Sequence, residues 1–362
     1  MFSLSLWLCF FSIFVATTYP KTSHDAEWKV SIVDNEETLI LTHVLFRHGN
    51  RTADRHTELY PKDPYLHETY HPYGHGQLTN AGKRKEFSIG TSLRKRYKGF
   101  LGDQYYPEII EAITTDYNRT KMSLQLVLAG LFPPERETMW EENLYWQPVP
   151  YNYLPKHQDK EVSASAKMQA EFNKHKEVFD YISEHTGLSV TRFFDVYNLY
   201  FGISTEEEWG FILPNWTTSV WPEALTSLAI RDYFVSMATA DMRKMATGYF
   251  LNKIIDDTKT KILSSQKPGR KIHLYSAHEN NIAELLISLG IFEPHVPNYG
   301  AYVLLEIHRI DNIYGVKIFY ENHTGDGPQL LKMPNCNSFC PLDIFITQVQ
   351  EYIPSENLCG IS

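Results

Sequence analysis

The apolar positions fall into segments of distinct period. Thr38 to Phe46 is a nearly continuous apolar, β-branched run closed by Arg47, which predicts a strand buried on both faces of a parallel sheet. Thr79 is a good N-cap for a helix reaching about Lys98, with Phe87, Gly90, Leu93 and Tyr97 spaced as one buried stripe. Its Arg84, Lys85, Arg94, Lys95, Arg96 and Lys98 read as a solvated face. Ala112 to Thr115 predicts a short strand, leading through Asp116-Tyr117-Asn118-Arg119 into a helix from Thr120 to Leu131 that is apolar nearly all round and therefore buried. Pro133-Pro134 ends it. The strand pattern returns at Lys271 to Ser276, and the next helix carries Ile282, Leu285, Leu286 and Leu289 on one face and stops at Gly290. Ala301 to Ile310 and Ile313 to Tyr320 flank Asp311-Asn312 as a hairpin, expected to add antiparallel strands at the sheet edge.

Between Pro133 and Ile254 clear strand signals stop, and helical patterns alternate with Trp-, Tyr- and Pro-rich loops. The expected architecture is α/β: a central mixed, mostly parallel sheet flanked by helices, with an inserted, mainly helical cap. The core is expected over 30–132 plus 255–362, and the cap over 133–254. With 362 residues, 43% of them hydrophobic and 14% aromatic, the chain can bury a sizeable core. A net charge of -9 argues against a general attraction to nucleic acid or anionic membrane, so any anion it binds must meet a local cluster of positive charge.

Residues 1–18, with an apolar run from Leu4 to Ala16, read as a signal peptide, which predicts a secreted protein. No second apolar stretch of about 20 residues appears, so no stable membrane anchor is expected. Without the leader three cysteines remain. Cys336 and Cys340 can bridge within a tight loop, and Cys359 is left as a free thiol or an intermolecular partner. Sequons occur at Asn50, Asn118, Asn215 and Asn322. Glycosylation is expected at Asn215 and Asn322, because the other two lie in the segments that carry the chemistry.

Those segments are three strand-to-helix junctions, presenting Arg47, His48 and Arg51, then Arg119, then His278 and Glu279. Open α/β sheets place ligands at such strand ends. If the three strands are neighbours, three guanidiniums and two imidazoles converge on one point, a set suited to a dianionic phosphate. Gly49 allows close backbone approach or a positive φ beside His48. The arginines should lower the pKa of His48 by like-charge repulsion and keep it nucleophilic at mildly acid pH. An alkoxide leaves poorly, and Glu279, read as the only carboxylate adjacent to the cluster, is expected to protonate it and later to activate water. His278 is cast as a donor to the phosphoryl oxygens. No metal or other cofactor is needed, since the arginines bring the charge a Mg²⁺ would otherwise supply. His67, His71 and His75 share helical spacing, but Pro72, Gly74 and Gly76 interrupt it, so no metal site is expected there. Lys62 and Asp63 between two prolines suit a pocket rim or a simple turn, and Trp216 suits a cover on the site or core packing.

With these residues in view, the chain resembles the histidine acid phosphatases, branch 2 of the histidine phosphatase superfamily, and within them the insect venom enzymes. The likeness covers almost the whole chain beyond the leader. It rests on Leu45 to Arg51, Tyr60 to Tyr65, Gly76 to Thr79, Asn118 to Ser123, Leu131 to Pro134, Ser276 to Glu279, and Cys336 to Cys340 followed by Pro341-Leu342. The resemblance implies a phosphoglycerate mutase-like fold and hydrolysis of small-molecule or protein phosphate monoesters. It implies His48 as phosphate acceptor, Arg47, Arg51 and Arg119 as phosphate ligands, and assistance from His278. A homodimer is implied by the resemblance alone. Asn50, Asn118 and Glu279 stand where the family commonly has Asp, so a second expectation is a secreted phosphate-binding protein with weakened turnover. Cys359 resembles a cysteine that pairs elsewhere in the family with one in the cap, and this chain has no such partner.

Overall fold

A computed structural model describes residues 36–153, 155, 166–264 and 269–355. The expected leader and Cys359 lie outside them. In chain order the elements begin with β1 (Leu39–Arg47), α1 (Asn80–Arg96), the short α2 (Lys98–Leu101), β2 (Ile110–Thr114), α3 (Asn118–Leu131) and β3 (Asn152–Tyr153). The helical stretch follows with α4 (Ala166–Asn173), α5 (Lys176–Thr186), α6 (Phe193–Glu208), α7 (Glu223–Val235), α8 (Ala240–Arg243) and α9 (Tyr249–Leu263). The chain then forms β4 (Ile272–Ala277), α10 (Glu279–Ser288), β5 (Tyr302–Ile310), β6 (Ile313–Glu321), β7 (Gln329–Leu331), β8 (Cys340–Pro341) and α11 (Leu342–Val349).

The strands form one sheet in the order β3-β2-β4-β1-β5-β6-β7, with β8 on the other end of β6. It is mixed, as expected, but less parallel than expected. Pairings β3–β2, β2–β4 and β4–β1 are parallel, whereas β1–β5, β5–β6, β6–β7 and β6–β8 are antiparallel. The cause is the hairpin, which joins the middle of the sheet through β5 against β1 and so starts an antiparallel half. Asp311 and Asn312 form its turn at φ 49° and 64°, the left-handed pair that matches strand twist.

Strand β1 is buried along almost its whole length because both its faces are covered. Leu41 and Leu45 pack with Leu251 and Ile254 of α9, Leu285 of α10 and Phe345 of α11. Val44 and Phe46 pack on the other face with Ile89 and Leu93 of α1 and Val127 and Leu131 of α3. Helices α1 and α3 cross backbone to backbone: a Cβ on Gly90 would lie 2.2 Å from the Val127 carbonyl oxygen, and one on Gly130 2.4 Å from that of Phe87. Gly90, Leu93 and Tyr97 of the expected stripe are buried, and Phe87 is the one member that is not. Ile89, Leu93 and Arg96 are buried, while Phe87 is 45% exposed. Arg96 thus leaves the expected solvated face, and its Nε donates to the buried Glu306 at 2.8 Å.

A third cluster lies off the sheet. Phe179 and Ile182 of α5, Phe193, Val196, Leu199 and Ile203 of α6, and Leu225 and Leu228 of α7 close around Tyr60. Trp216 meets Tyr60 edge-on in this cluster, so it serves packing. Lys62 donates to the Glu184 carbonyl in α5 at 2.6 Å, which ties the loop after β1 to the helical stretch. Cys336 and Cys340 form a disulfide.

Candidate active site

The sheet order makes β2, β4 and β1 consecutive neighbours, so the three junctions meet at one edge. Parallel register sets Arg47 opposite Ala277 and Thr114 opposite Ser276. The backbone around His48 is held from both sides. Its N–H donates to the Ala277 carbonyl at 3.1 Å, and its carbonyl accepts from Gly300 N–H at 3.2 Å. Gly49 N–H donates to Ser123 Oγ on α3 at 3.2 Å. Of the two expected uses of Gly49, close approach is the one found: a Cβ there would sit 2.6 Å from the Gly82 carbonyl oxygen of α1.

His48 is 1% exposed, and its Nδ1 lies 2.9 Å from its neighbour's carbonyl, Gly49 O. A carbonyl only accepts, so Nδ1 carries the proton and Nε2 keeps a free lone pair. Burial first, and then the charges of Arg119 and Arg47, hold this imidazole well below the usual histidine range. The expected direction holds, with desolvation ahead of repulsion as its cause. His278 stands edge-on at 5.4 Å between ring centroids. Burial and Arg119 push it down to about 3, so it too is neutral. Its Nε2 is 3.1 Å from Thr115 Oγ1, a hydroxyl already donating to Thr120, so Nε2–H is the donor.

The three guanidiniums are each anchored by one edge and left short of partners on another. Arg51 forks onto Glu58, which also accepts from Asp54 N–H at 2.8 Å. Arg119 Nη1 donates to Asp54 Oδ2 at 3.2 Å, with the guanidinium lying over the Tyr117 ring. Arg47 Nη1 donates to the Pro297 carbonyl at 2.6 Å, and its plane lies 4.0 Å from the Tyr299 ring centroid. Arg47 Nε and Nη2, Arg51 Nε and Arg119 Nε are buried with no hydrogen-bond partner among the described residues. Buried charged donors without acceptors are costly, and here they belong to three arginines around one imidazole.

Glu279 opens α10 and is 4% exposed. One carboxylate oxygen accepts from the Tyr197 hydroxyl of α6, and the other lies 3.1 Å from Arg47 Nε, too poorly aligned for a hydrogen bond. Burial alone would raise this carboxyl, but Arg47, His278 and Tyr197 outweigh it and hold it at about 2. Glu279 is therefore ionised in the free pocket.

Sequence reasoning named Glu279 as the only carboxylate adjacent to the cluster, and the structure corrects this. Glu58 and Asp54 touch Arg51 and Arg119 directly. Both were in reach of a sequence reading, as acids three and seven residues after Arg51, but no periodic pattern marks them because they lie in a loop. Tyr197, Tyr299 and Thr115 carried no local signal either. Among the sequons, Asn215 is exposed, and Asn322 uses its Oδ1 to accept from Asn298 N–H at 2.8 Å. The Asn50 amide is engaged on both sides, accepting from Thr79 Oγ1 at 2.7 Å and donating to Glu208 at 2.8 Å.

Known proteins share both the sequence pattern and this fold. A protein named venom acid phosphatase Acph-1 from Apis mellifera is 36% identical over 90% of this chain and 88% of its own length. The human lysosomal acid phosphatase is 28% identical over 86% of this chain and 78% of its own. A solved structure of Hafnia alvei phytase, in complex with myo-inositol hexakis sulphate, superposes with a TM-score of 0.60 at 15% identity, covering 90% of this chain and 99% of that one. The family model of the histidine phosphatase superfamily (branch 2) matches residues 38–321, and the chain belongs to that family.

Proposed function

We propose that the protein is a secreted acid phosphatase that hydrolyses phosphate monoesters through a phosphohistidine on His48. The observation that carries this reading is the set of unpartnered guanidinium N–H groups of Arg47, Arg51 and Arg119 around an imidazole whose Nε2 is free. A phosphoryl group supplies the acceptors those donors lack, in forked geometry. The Nε2 lone pair attacks phosphorus while the bond to the leaving oxygen breaks, and the guanidiniums carry the charge on the three remaining oxygens. His278 turns its Nε2–H from Thr115 to one of them.

Glu279 serves as the proton donor to the leaving oxygen, although Arg47 holds it ionised in the free pocket. A bound phosphate dianion competes for Arg47 and sets negative charge beside Glu279, and both changes raise its affinity for a proton. At acid pH the ester is largely a monoanion, since its second pKa is about 6, and brings that proton with it. In the second step the Glu279 carboxylate takes a proton from water, whose oxygen attacks phosphorus and displaces the His48 nitrogen. Export is supported by the apolar leader and by the Cys336–Cys340 disulfide, and among the described residues no helix is long and apolar enough to cross a membrane. Asn215 and Asn322 are the proposed glycosylation sites.

The test is hydrolysis of p-nitrophenyl phosphate at about pH 5 by the wild type and by His48→Ala, together with rapid-quench trapping of a base-stable phosphoenzyme. The expected result is turnover and labelling in the wild type only. Equal, near-zero rates in both proteins would sink the reading and favour a phosphate-binding protein without turnover.

A further inference from the structure

The charges of the pocket nearly cancel before any ligand arrives. Arg51 has Glu58, Arg119 has Asp54 and Arg47 has Glu279, so each guanidinium of the cradle faces its own carboxylate. A fourth carboxylate stands at the rim. Glu208, the last residue of α6, is exposed and accepts from Asn50 Nδ2 at 2.8 Å, two residues after His48. Among the described residues no Lys, Arg or His lies within ion-pair distance of it; partial desolvation raises its carboxyl above the ordinary range, and the charges of Arg47 and Arg51 and the Asn50 amide oppose that shift. An Asp at position 50 would repel Glu208, whereas the Asn50 amide ties it to the loop that follows His48. The other walls are aromatic: Arg47 lies over Tyr299 and near Phe201, 4.0 and 5.3 Å from the ring centroids.

A site with three cations and three matched carboxylates can hold one phosphate on the N–H groups its carboxylates leave free. Among the described residues the three guanidiniums of the cradle leave no surplus charge for a second phosphate, and the rim opposes one. We infer that Glu208 is a specificity-determining residue that restricts the pocket to monophosphates whose alcohol is neutral or cationic near the scissile bond, and that rejects polyphosphorylated substrates. The inference rests on the phosphomonoesterase reading of the same pocket. It sets this chain apart from the phytase of like fold, which binds an inositol hexakis sulphate.

The test compares kcat/KM at about pH 5 and again at about pH 7, where a raised carboxyl is ionised, for phosphocholine, glycerol 2-phosphate and inositol hexakisphosphate in the wild type, Glu208→Gln and Glu208→Lys. It adds calorimetric binding of inositol hexakis sulphate to the same three proteins. Expected wild-type efficiencies fall in the order given. Removing one rim charge should raise the ratio of hexakisphosphate to glycerol phosphate about fivefold to tenfold, and the lysine variant should raise it further. Phosphocholine should lose efficiency in both variants, and hexakis sulphate should bind more tightly in both. Ratios and affinities unchanged within about twofold would overturn the role of Glu208. If the wild type hydrolysed none of the esters, the phosphatase reading would fall instead, and the binding arm would still decide the charge inference.

Discussion

Strands β1 and β4 and the residues that follow them directly carry two pairs of buried histidines, and the pairs differ in what surrounds them. His43 and His273 lie opposite each other in register, with rings stacked 4.6 Å apart under α9. His48 and His278 follow five residues later in each case and meet edge-on. Around the first pair the charged groups are matched: Lys253 binds Glu111 at 2.8 Å and Asp257 at 3.0 Å, and His273 Nδ1 lies 2.9 Å from Glu111, which leaves His43 Nε2 as the one buried ring nitrogen of the pair with no hydrogen-bond partner among the described residues. Lys253 supplies a cation to both acids. Around the second pair three arginines keep unpartnered N–H groups. Burial and histidine content are the same in both regions, so neither identifies the site. Unmatched guanidinium donors do.

The sharpest way to break this contrast is to remove one histidine from each pair. His48→Ala should abolish phosphomonoester hydrolysis, by about 10⁴-fold or more, as loss of a covalent nucleophile does. His43→Leu should leave kcat within about threefold and lower stability by about 1–3 kcal/mol, the ordinary cost of disturbing a buried polar contact. Comparable loss of turnover in both variants, at matched folded fraction, would mean that the two pairs work as one unit.

Arg119→Gln comes next. Removing a phosphate ligand should cost about 10²- to 10³-fold in kcat/KM. It also removes the charge that, after burial, most depresses His48. The His48 pKa then rises, and the acid limb of kcat/KM should move to higher pH. A weaker enzyme with an unmoved acid limb would show that Arg119 binds phosphate without tuning the nucleophile.

A smaller effect is expected one layer out, where Tyr197 holds Glu279. Glu279→Gln should slow alkyl esters by about 10²-fold or more and activated aryl esters much less, because only the poor leaving group needs a proton. Tyr197→Phe should reproduce that leaving-group pattern at about a tenth of the size, since the carboxylate remains but is less well aimed. Equal slowing of both ester classes would make Tyr197 a packing residue.

What could be read from the chain alone follows from these contacts. Strands β1 and β4, the 311–312 hairpin and helix α10 were legible because each buries a period its own residues display. The convergence of Arg47, His48, Arg119 and His278 was legible because strand ends are where parallel sheets collect ligands. The partners that hold those residues were not. Glu58, Asp54 and Tyr197 sit on loops or on a helix far along the chain, and a single ion pair leaves no periodic trace. Arg96 misled for the same reason, because the charge that makes its burial tolerable is Glu306, on a strand more than 200 residues away.

The last distinction between the two histidine regions concerns acid stability. His43 lies well below 6.5 through burial first, then His273 and Lys253, so the folded state stays neutral there while the unfolded chain takes up a proton below 6.5. Acidification through that range thus favours unfolding at His43. Glu111 works the other way in a lower window. Its hydrogen bond from His273 leads the causes that hold it at about 2 against an ordinary 4.5, so the stability it adds is fully present above 4.5 and is lost as pH falls toward 2. Melting temperatures of His43→Leu and Glu111→Gln against the wild type should separate the two. The deficit of His43→Leu should shrink as pH drops from 7 to 5, because the variant no longer has that proton-linked penalty. The deficit of Glu111→Gln should hold steady over the same range and shrink only below about 4.5. Parallel melting curves for all three proteins from pH 7 to 3 would show that neither group titrates differently on folding.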